Sequence, residues 1–336
     1  MKTVHLIGTG LIGQERLKAI KKLQARGLAV KVGHVFDPFQ PKLVELSKEY
    51  NFTITQSLQQ LLDTPADLTV IACPHDVAAV QSCTALRAGH KVLIEKPMGR
   101  NLVEANAIMQ AAKNGKGFHV GLNYRFMKGV SALMTDWKSK HFGKPISVRM
   151  EIGHGGKPGD EKTWKLDPLR CGGGALLDPG IHVLDLCSIL AGKSPDIIAA
   201  TSWNGFWKTG IEEDVQLLLK SGQLNISLEI SVVRWRSHFE IFALGTEGYG
   251  HLSGRGRSYG PQIYKRGKRW GWQSAKDQAS SEEIVVNDSC EDSFTDELAA
   301  YLGFTSDVNT EITNPNDGLE LMRLYELVKM KLKEMD

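Results

Sequence analysis

The 336-residue chain has little cysteine, little net charge and no long apolar run, and each shortage closes a class of function. Its five cysteines, Cys73, Cys83, Cys171, Cys187 and Cys290, are odd in number and scattered. They form no Cys-x-x-Cys pair and have no histidine cluster beside them, so neither a disulfide framework nor a metal site is expected. A formal net charge of +3 is too small to make nucleic acid a general partner. No apolar stretch reaches the length of a membrane span, and Met1-Lys2-Thr3 leads straight into the first strand with no room for a signal peptide. No membrane partner is expected, and the expected location is the cytoplasm. Internal repeats and low-complexity tracts are missing. One shortage is local: His251 to Lys276 contains no Asp or Glu, while Arg255, Arg257, Lys265, Arg266, Lys268 and Arg269 all occur there. A phosphate-bearing substrate could use such a surface, but a solvated basic loop is the simpler reading.

What is present describes a soluble α/β protein: 42% hydrophobic and 24% charged residues, in a chain long enough for two domains. Val4 to Gly13 reads VHLIGTGLIG, an apolar strand that breaks into Gly8-Thr9-Gly10-Leu11-Ile12-Gly13 and then into a helix. Dinucleotide chemistry requires glycine at three places in such a turn. Gly8 makes the turn tight, Gly10 lets the backbone approach a pyrophosphate, and Gly13 lets the helix pack on the strand. Amides at the helix start then face the phosphates. A second strand, Val30 to Phe36, ends in Asp37, whose carboxylate can hold the ribose hydroxyls of NAD and would repel the extra phosphate of NADP. Asp37-Pro38 also suits a plain turn.

Short apolar strands alternate with helices up to residue 121, so 1–121 is read as a parallel-sheet Rossmann domain. Leu68 to Ala72, Lys91 to Glu95 and Phe118 to Gly121 are its later strands, with helices near Val77 to Ala88 and Leu102 to Lys113. Ligands in this fold class sit at the carboxyl ends of the strands. That rule groups Asp37, Cys73-Pro74-His75 and Glu95-Lys96-Pro97.

Residues 122–336 are read as a second α/β domain on a large, mostly antiparallel open sheet, for substrate and self-association. Its strands are expected at Ile146 to His154, Ile197 to Trp207, Val215 to Leu219, Leu224 to Val232 and Phe239 to Leu244. Trp203, Trp207, Trp235, Trp270 and Trp272 would make part of that sheet aromatic and favour oligomers. Helices at Glu291 to Leu302 and Leu319 to Glu334 close the chain, the last packing back on the first domain.

Two sets of residues can carry chemistry. Lys96 follows a buried strand, where desolvation can lower an ammonium toward a catalytic range, or it is an ordinary surface lysine. In Gly172 to Asp185, GGGALLDPGIHVLD, Asp178 is expected to cap a helix with Pro179 in its first position and a stop at Gly192. Asp178 and His182, four apart, could then meet on one face and take a proton from a hydroxyl. Metal binding is disfavoured, since Asp185 is the sole further ligand nearby.

With these residues in hand, nearly the whole chain resembles the Gfo/Idh/MocA family of nicotinamide-dependent dehydrogenases, named for glucose-fructose oxidoreductase and inositol dehydrogenase. The marks are GTGLIG at 8–13, ALRAGHKVLIEKP at 85–97, GLNYRF at 121–126 and WKLDPLRCGGGALLDPGIHVLD at 164–185. The resemblance implies a Rossmann domain, an open-sheet substrate domain, frequent dimers or tetramers, and a cis bond before Pro97. It also implies that Lys96, Asp178 and His182 belong to the active site. Ala78 departs from the histidine that many members carry four residues after the equivalent of Pro74. The stretches HGGKPGDEKTW at 154–164 and GRSYGP at 256–261 are similar to members of nucleotide-sugar biosynthesis.

The expected activity is NAD-dependent hydride transfer at a secondary alcohol or ketone of a sugar, nucleotide sugar or cyclitol. His182 is the expected base, Asp178 its partner or a substrate ligand, and Lys96 the donor to the developing alkoxide. NAD is expected on Gly8, Thr9, Gly10, Leu11, Ile12, Gly13, Asp37, Cys73, Pro74, His75, Glu95, Lys96 and Asn123. The substrate is expected on Lys96, Tyr124, Arg125, Trp164, Lys165, Asp178 and His182. A non-catalytic NAD sensor, and a reductase of a dihydrodiol or a biliverdin-like tetrapyrrole, are the alternatives.

Overall fold

The computed structural model describes residues 1–39, 41–112, 117–268, 282–290, 292–305, 308 and 310–335. The chain divides into two compact units. One comprises 1–123, 169–172 and 292–322, and the other comprises 124–168, 173–291 and 323–336.

The first unit is built on six strands: β1 Lys2–Ile7, β2 Val30–Phe36, β3 Thr53–Ile54, β4 Leu68–Ile71, β5 Val92–Glu95 and β6 Phe118–Gly121. All neighbours run parallel, in the order β3-β2-β1-β4-β5-β6. Strands covered on both faces need continuous apolar runs, as in Leu68-Thr69-Val70-Ile71, buried at every position. The helix Leu11–Ala25 presents Leu17, Ile20 and Leu23 to this core, a three-residue spacing that keeps one face inward. Each such side chain contributes about 1.5–3 kcal/mol on burial. The helix Ser293–Tyr301 returns from far along the chain to the same cluster through Leu298 and Tyr301.

The second unit carries β7 Pro145–Gly153, β8 Asp196–Trp203, β9 Asp214–Ser221, β10 Leu224–Ser231, β11 His238–Gly245, β12 Gly248–Ser253, β13 Gln262–Lys268 and β14 Glu282–Asp288. They lie in the order β14-β13-β12-β11-β7-β10-β9-β8; β7 and β10 pair in parallel and the other neighbours antiparallel. Burial alternates along β9 and β11, putting Val215, Leu217 and Leu219, and Phe239, Ile241 and Ala243, on the covered face. The mixed α/β class and the mostly antiparallel second sheet match the sequence reading.

Three expectations change. β12 and β13 occupy much of the supposed basic loop, because Gly248 to Ser253 and Gln262 to Lys268 find partners on either side. The aromatic face is not as expected: Trp203 ends β8, whereas Trp207 and Trp235 lie in connections; Trp270 and Trp272 lie outside the described residues. The last helix starts earlier than expected and runs Pro315–Met335. Among the described residues no helix is long and apolar enough to cross a membrane.

Candidate active site

In the first unit the phosphate turn has the form the glycines foretell. Gly8 has φ +92°, and a Cβ there would lie 2.6 Å from the Ala72 carbonyl oxygen. A Cβ on Gly13 would collide with the Gly8 carbonyl, whereas one on Gly10 would meet no protein atom within 4 Å. Packing therefore requires glycine at 8 and 13, and open space at 10 is what a pyrophosphate needs. Gly10 caps the helix Leu11–Ala25 with no side-chain bond, so the first amides of that helix are not taken by a cap. Asp37 follows β2 and faces the same turn, accepting from Thr9 N at 2.7 Å, Thr9 Oγ1 at 2.9 Å and Phe39 N at 3.0 Å. The residues present therefore fit a dinucleotide.

Cys73, Pro74 and His75 follow β4, and His75 Nδ1 lies 2.9 Å from the Cys171 carbonyl oxygen. Burial pushes the Cys73 thiol up to about 12, so it is no thiolate near neutrality. Lys96 follows β5, and its bond to Pro97 is cis. The residue before it, Glu95, takes part in a contact that the sequence reading missed. Arg16, fully buried on the first helix, donates Nε to Glu95 at 2.5 Å and Nη2 to Glu297 at 2.5 Å, with the Phe294 ring 4.9 Å from its guanidinium carbon. One guanidinium thus holds two carboxylates and fixes the strand end that carries Lys96. Asn123 donates to Ser293 Oγ at 2.8 Å, a second tie to the same returning segment.

Glu297 is lifted to about 7, mainly by burial and then by Glu95, against the pull of Arg16. A folded carboxylate raised above its ordinary 4.5 stabilises below that value and loses the contribution as pH rises through about 7. The wild-type Tm should therefore decline from about pH 4.5 to about pH 7 and level off above, and Glu297→Gln should flatten the decline; parallel melting curves for the two proteins would refute this.

In the second unit, the residues that follow Asn123 in its turn, Tyr124 to Phe126, and the helix Gly180–Ala191 are locked by a bidentate pair. Arg125 donates Nε to Asp185 Oδ2 at 2.8 Å and Nη2 to Oδ1 at 2.5 Å, both side chains buried. Arg125, expected to touch substrate, is thereby engaged with Asp185. One turn earlier on that helix His182 lies flat on Tyr124, ring centres 3.8 Å apart and planes at 4°. The pair holds the candidate base in one orientation.

Asp178 is not the helix cap expected of it. The helix begins at Gly180 with Pro179 in the capping position, the Asp178-Pro179 bond is cis, and the Asp178 carboxylate lies 3.4 Å from Lys165 Nζ. Asp178 holds the ammonium of Lys165 above its usual range. Trp164 and Lys165 form a short 3-10 turn, Trp164–Leu166.

His154, at the end of β7, was not foreseen. Burial lowers it first of all, while it senses Asp178, Lys165, Arg255 and Asp160. Its Nδ1 accepts from the Gly156 amide at 3.2 Å. The available signal was its place after a strand and before Gly155-Gly156. Of the basic segment, Lys265 and Arg266 pair with Glu282, Glu283 and Asp136, while Arg269 and Lys276 lie outside the described residues. No metal-binding cluster occurs among the described residues.

The family model of oxidoreductases with an NAD-binding Rossmann fold matches residues 2–122, and the model of the Gfo/Idh/MocA C-terminal domain matches 136–250. The chain is 27% identical to 1,5-anhydro-D-fructose reductase of Ensifer adhaerens, over 47% of this chain and 48% of that protein. It is 27% identical to levoglucosan dehydrogenase of Pseudarthrobacter phenanthrenivorans, over 59% and 53%, and 32% identical to trans-1,2-dihydrobenzene-1,2-diol dehydrogenase of Bos taurus, over 53% and 52%. The matches thus span about half the length of these relatives. The fold is similar to that of a levoglucosan dehydrogenase solved with NADH and L-sorbose, with TM-score 0.81, 17% identity and coverage of 99% and 97%. With both family domains matched in order along one chain, this protein belongs to the Gfo/Idh/MocA family of oxidoreductases, whose first domain is an NAD-binding Rossmann fold.

Proposed function

We propose that the protein transfers hydride between NAD and a secondary alcohol or ketone of a sugar-like substrate. The observation that carries this reading is the open phosphate turn at Gly10 beside Asp37, in one sheet with the strand that ends in Glu95-Lys96-Pro97. Gly8, Thr9, Gly10, Leu11, Ile12, Gly13 and Asp37 would hold the dinucleotide, with Cys73, Pro74, His75, Glu95, Lys96 and Asn123 as its further neighbours. NAD, when bound, supplies the hydride acceptor for alcohol oxidation, and NADH the donor for the reverse.

His182, held flat on Tyr124, takes the hydroxyl proton. Lys96 donates a hydrogen bond to the oxygen as it gains charge, and Asp178, with Lys165 beside it, orients the hydroxyl groups. In reverse the same groups protonate the reduced carbonyl oxygen. Trp164 offers an aromatic face to ring C–H bonds, while the Tyr124 ring is taken up by His182. A panel of free sugars, cyclitols, nucleotide sugars and a dihydrodiol, followed by NADH formation, tests the reading. Turnover of a sugar supports it, turnover of the dihydrodiol alone favours the activity named for the Bos taurus relative, and turnover of none with NAD bound favours a sensor.

Replacing Asp37 by Ala together with Pro38→Arg should raise the NADP-to-NAD preference at least about a hundredfold, since a repelling carboxylate becomes a phosphate donor. An unchanged ratio would mean that Asp37 does not read the ribose.

We also place the protein in the cytoplasm, a reading supported by its five free thiols, and as a homodimer or homotetramer. The second sheet supports the latter with a shallow depression lined by Arg149, Glu151, Gln216, Leu218 and Glu229, and with Leu218 54% exposed. Leu218→Asp should reduce the mass seen by light scattering toward the 37.1 kDa of one chain; an unaltered mass would contradict it.

A further inference from the structure

The chain leaves the second unit after Pro168, spends Leu169 to Gly172 in the first, and returns to the second at Gly173. This excursion falls between two residues assigned to substrate: Lys165 stands four positions before Leu169, and Asp178 six after Gly172. Three side chains of the first unit hold it. His75 Nδ1 donates to the Cys171 carbonyl oxygen at 2.9 Å, Arg100 Nη1 donates to the Leu169 carbonyl oxygen at 2.5 Å, and Asp76 Oδ2 accepts from Arg170 Nε at 2.8 Å. Gly172 completes the clasp. A Cβ there would lie 2.4 Å from the Arg100 Cβ, and its φ is +86°, so glycine lets the chain pass close over Arg100.

The anchors are themselves fixed. Arg100 N donates to Glu104 Oε2 at 2.7 Å and Arg100 Nε to Glu104 Oε1 at 2.9 Å, in the first turn of the helix Leu102–Ala111. His75 and Asp76 open the helix His75–Arg87, directly after Cys73-Pro74. On the return, Glu212 Oε1 accepts from Gly174 N at 2.9 Å and the Glu212 carbonyl oxygen from Ala175 N at 2.8 Å. The stretch that carries Trp164 and Lys165 therefore ends on the clasp, while the stretch that carries Asp178 starts from Glu212. We infer that Arg100 and Asp76 are positioning residues of the reaction: by holding Leu169 and Arg170 they fix the chain that places Trp164 and the Lys165 ammonium, which faces Asp178 at 3.4 Å. Neither is asked to touch substrate. Groups that orient a substrate work within fractions of an ångström, and a misplacement of about 1 Å can cost up to about a hundredfold in rate. The consequence for turnover rests on the dehydrogenase reading; the clasp itself does not.

The test is amide deuterium exchange of NAD-loaded wild type, Arg100→Met, Arg100→Lys and Arg170→Met, followed by NADH formation from D-glucose, myo-inositol and UDP-glucose. Peptides covering 160–172 should exchange at least about tenfold faster in Arg100→Met, with the helices Leu11–Ala25 and Leu102–Ala111 unchanged. Arg100→Lys, which keeps a donor for the Leu169 carbonyl without the fork on Glu104, should restore part of the protection. Arg170→Met deletes a partly exposed pair with little risk to folding and should loosen the same peptides to a smaller degree, so it carries the comparison if Arg100→Met does not fold. With a compound that wild type turns over, KM should rise and kcat per bound NAD fall in Arg100→Met, together by at least about tenfold in kcat/KM. A merely structural role would lower kcat in step with the number of NAD sites and leave KM unchanged. Exchange over 160–172 that stays at the wild-type rate, exchange raised throughout the first unit, or an unchanged KM overturns the inference. Faster exchange confined to 160–172, with no NADH formed by wild type from any of the three compounds, supports the clasp and counts against the dehydrogenase reading alone.

Discussion

His182→Ala and Lys96→Met are each expected to lower turnover by about a thousandfold, the scale of a lost general acid or base, with the NAD dissociation constant changed less than about threefold. The first substitution removes an imidazole buried among Tyr124 and its neighbours in the second unit, remote in sequence from the phosphate turn. The second keeps an aliphatic stem after β5 and deletes only the ammonium. Both leave Gly8, Gly10, Gly13 and Asp37 as they are. Steady-state kinetics beside NAD titration by fluorescence separates the two quantities. Loss of NAD binding in either variant, with turnover per bound NAD preserved, would count against the assigned roles.

Arg16→Met is the other large effect. It leaves Glu95 and Glu297 facing each other inside the first unit without their cation, and removal of one partner from a buried ion pair costs about 3–5 kcal/mol. Melting followed by circular dichroism should show Tm lowered by roughly 10 °C. Because Glu95 precedes Lys96, the variant that remains folded should lose turnover more than NAD affinity. Adding Glu297→Gln removes one of the two stranded charges and should recover part of the stability. A Tm within about 2 °C of wild type would show that the guanidinium is replaceable by packing alone.

Local signals carried far in this chain. Apolar runs bounded by turn residues gave β2 and β6 their full extent, even though β2 carries the exposed Lys31 and β6 the half-buried His119. The three glycines were readable because the turn and its ligand demand them in a fixed spacing, although the atom that excludes a side chain at Gly8 is the distant Ala72 carbonyl oxygen. Long-range ties were not readable. Nothing near Arg16 points to Glu297, 281 residues away, and Arg125 looked available for substrate until Asp185 was found beside it. Asp178-Pro179 satisfied every local rule for a helix start, yet the helix begins at Gly180 and the carboxylate faces Lys165. Basic composition misled for β13, since Lys265 and Arg266 find acids on β14 and at Asp136 that composition does not reveal. His154 was missed because a lone histidine at a strand end has no periodic signature.

The central claim, that the Lys96 ammonium and the His182 imidazole serve a single proton-handling step, is tested most directly by a double-mutant cycle. Single-turnover NADH formation would be measured for wild type, Lys96→Met, His182→Ala and the double variant at saturating substrate. Groups that act as a unit give strongly non-additive losses, so the double variant should be slower than the worse single variant by no more than about tenfold. A double loss equal to the product of the two single losses would show that the groups act independently, and would contradict the account.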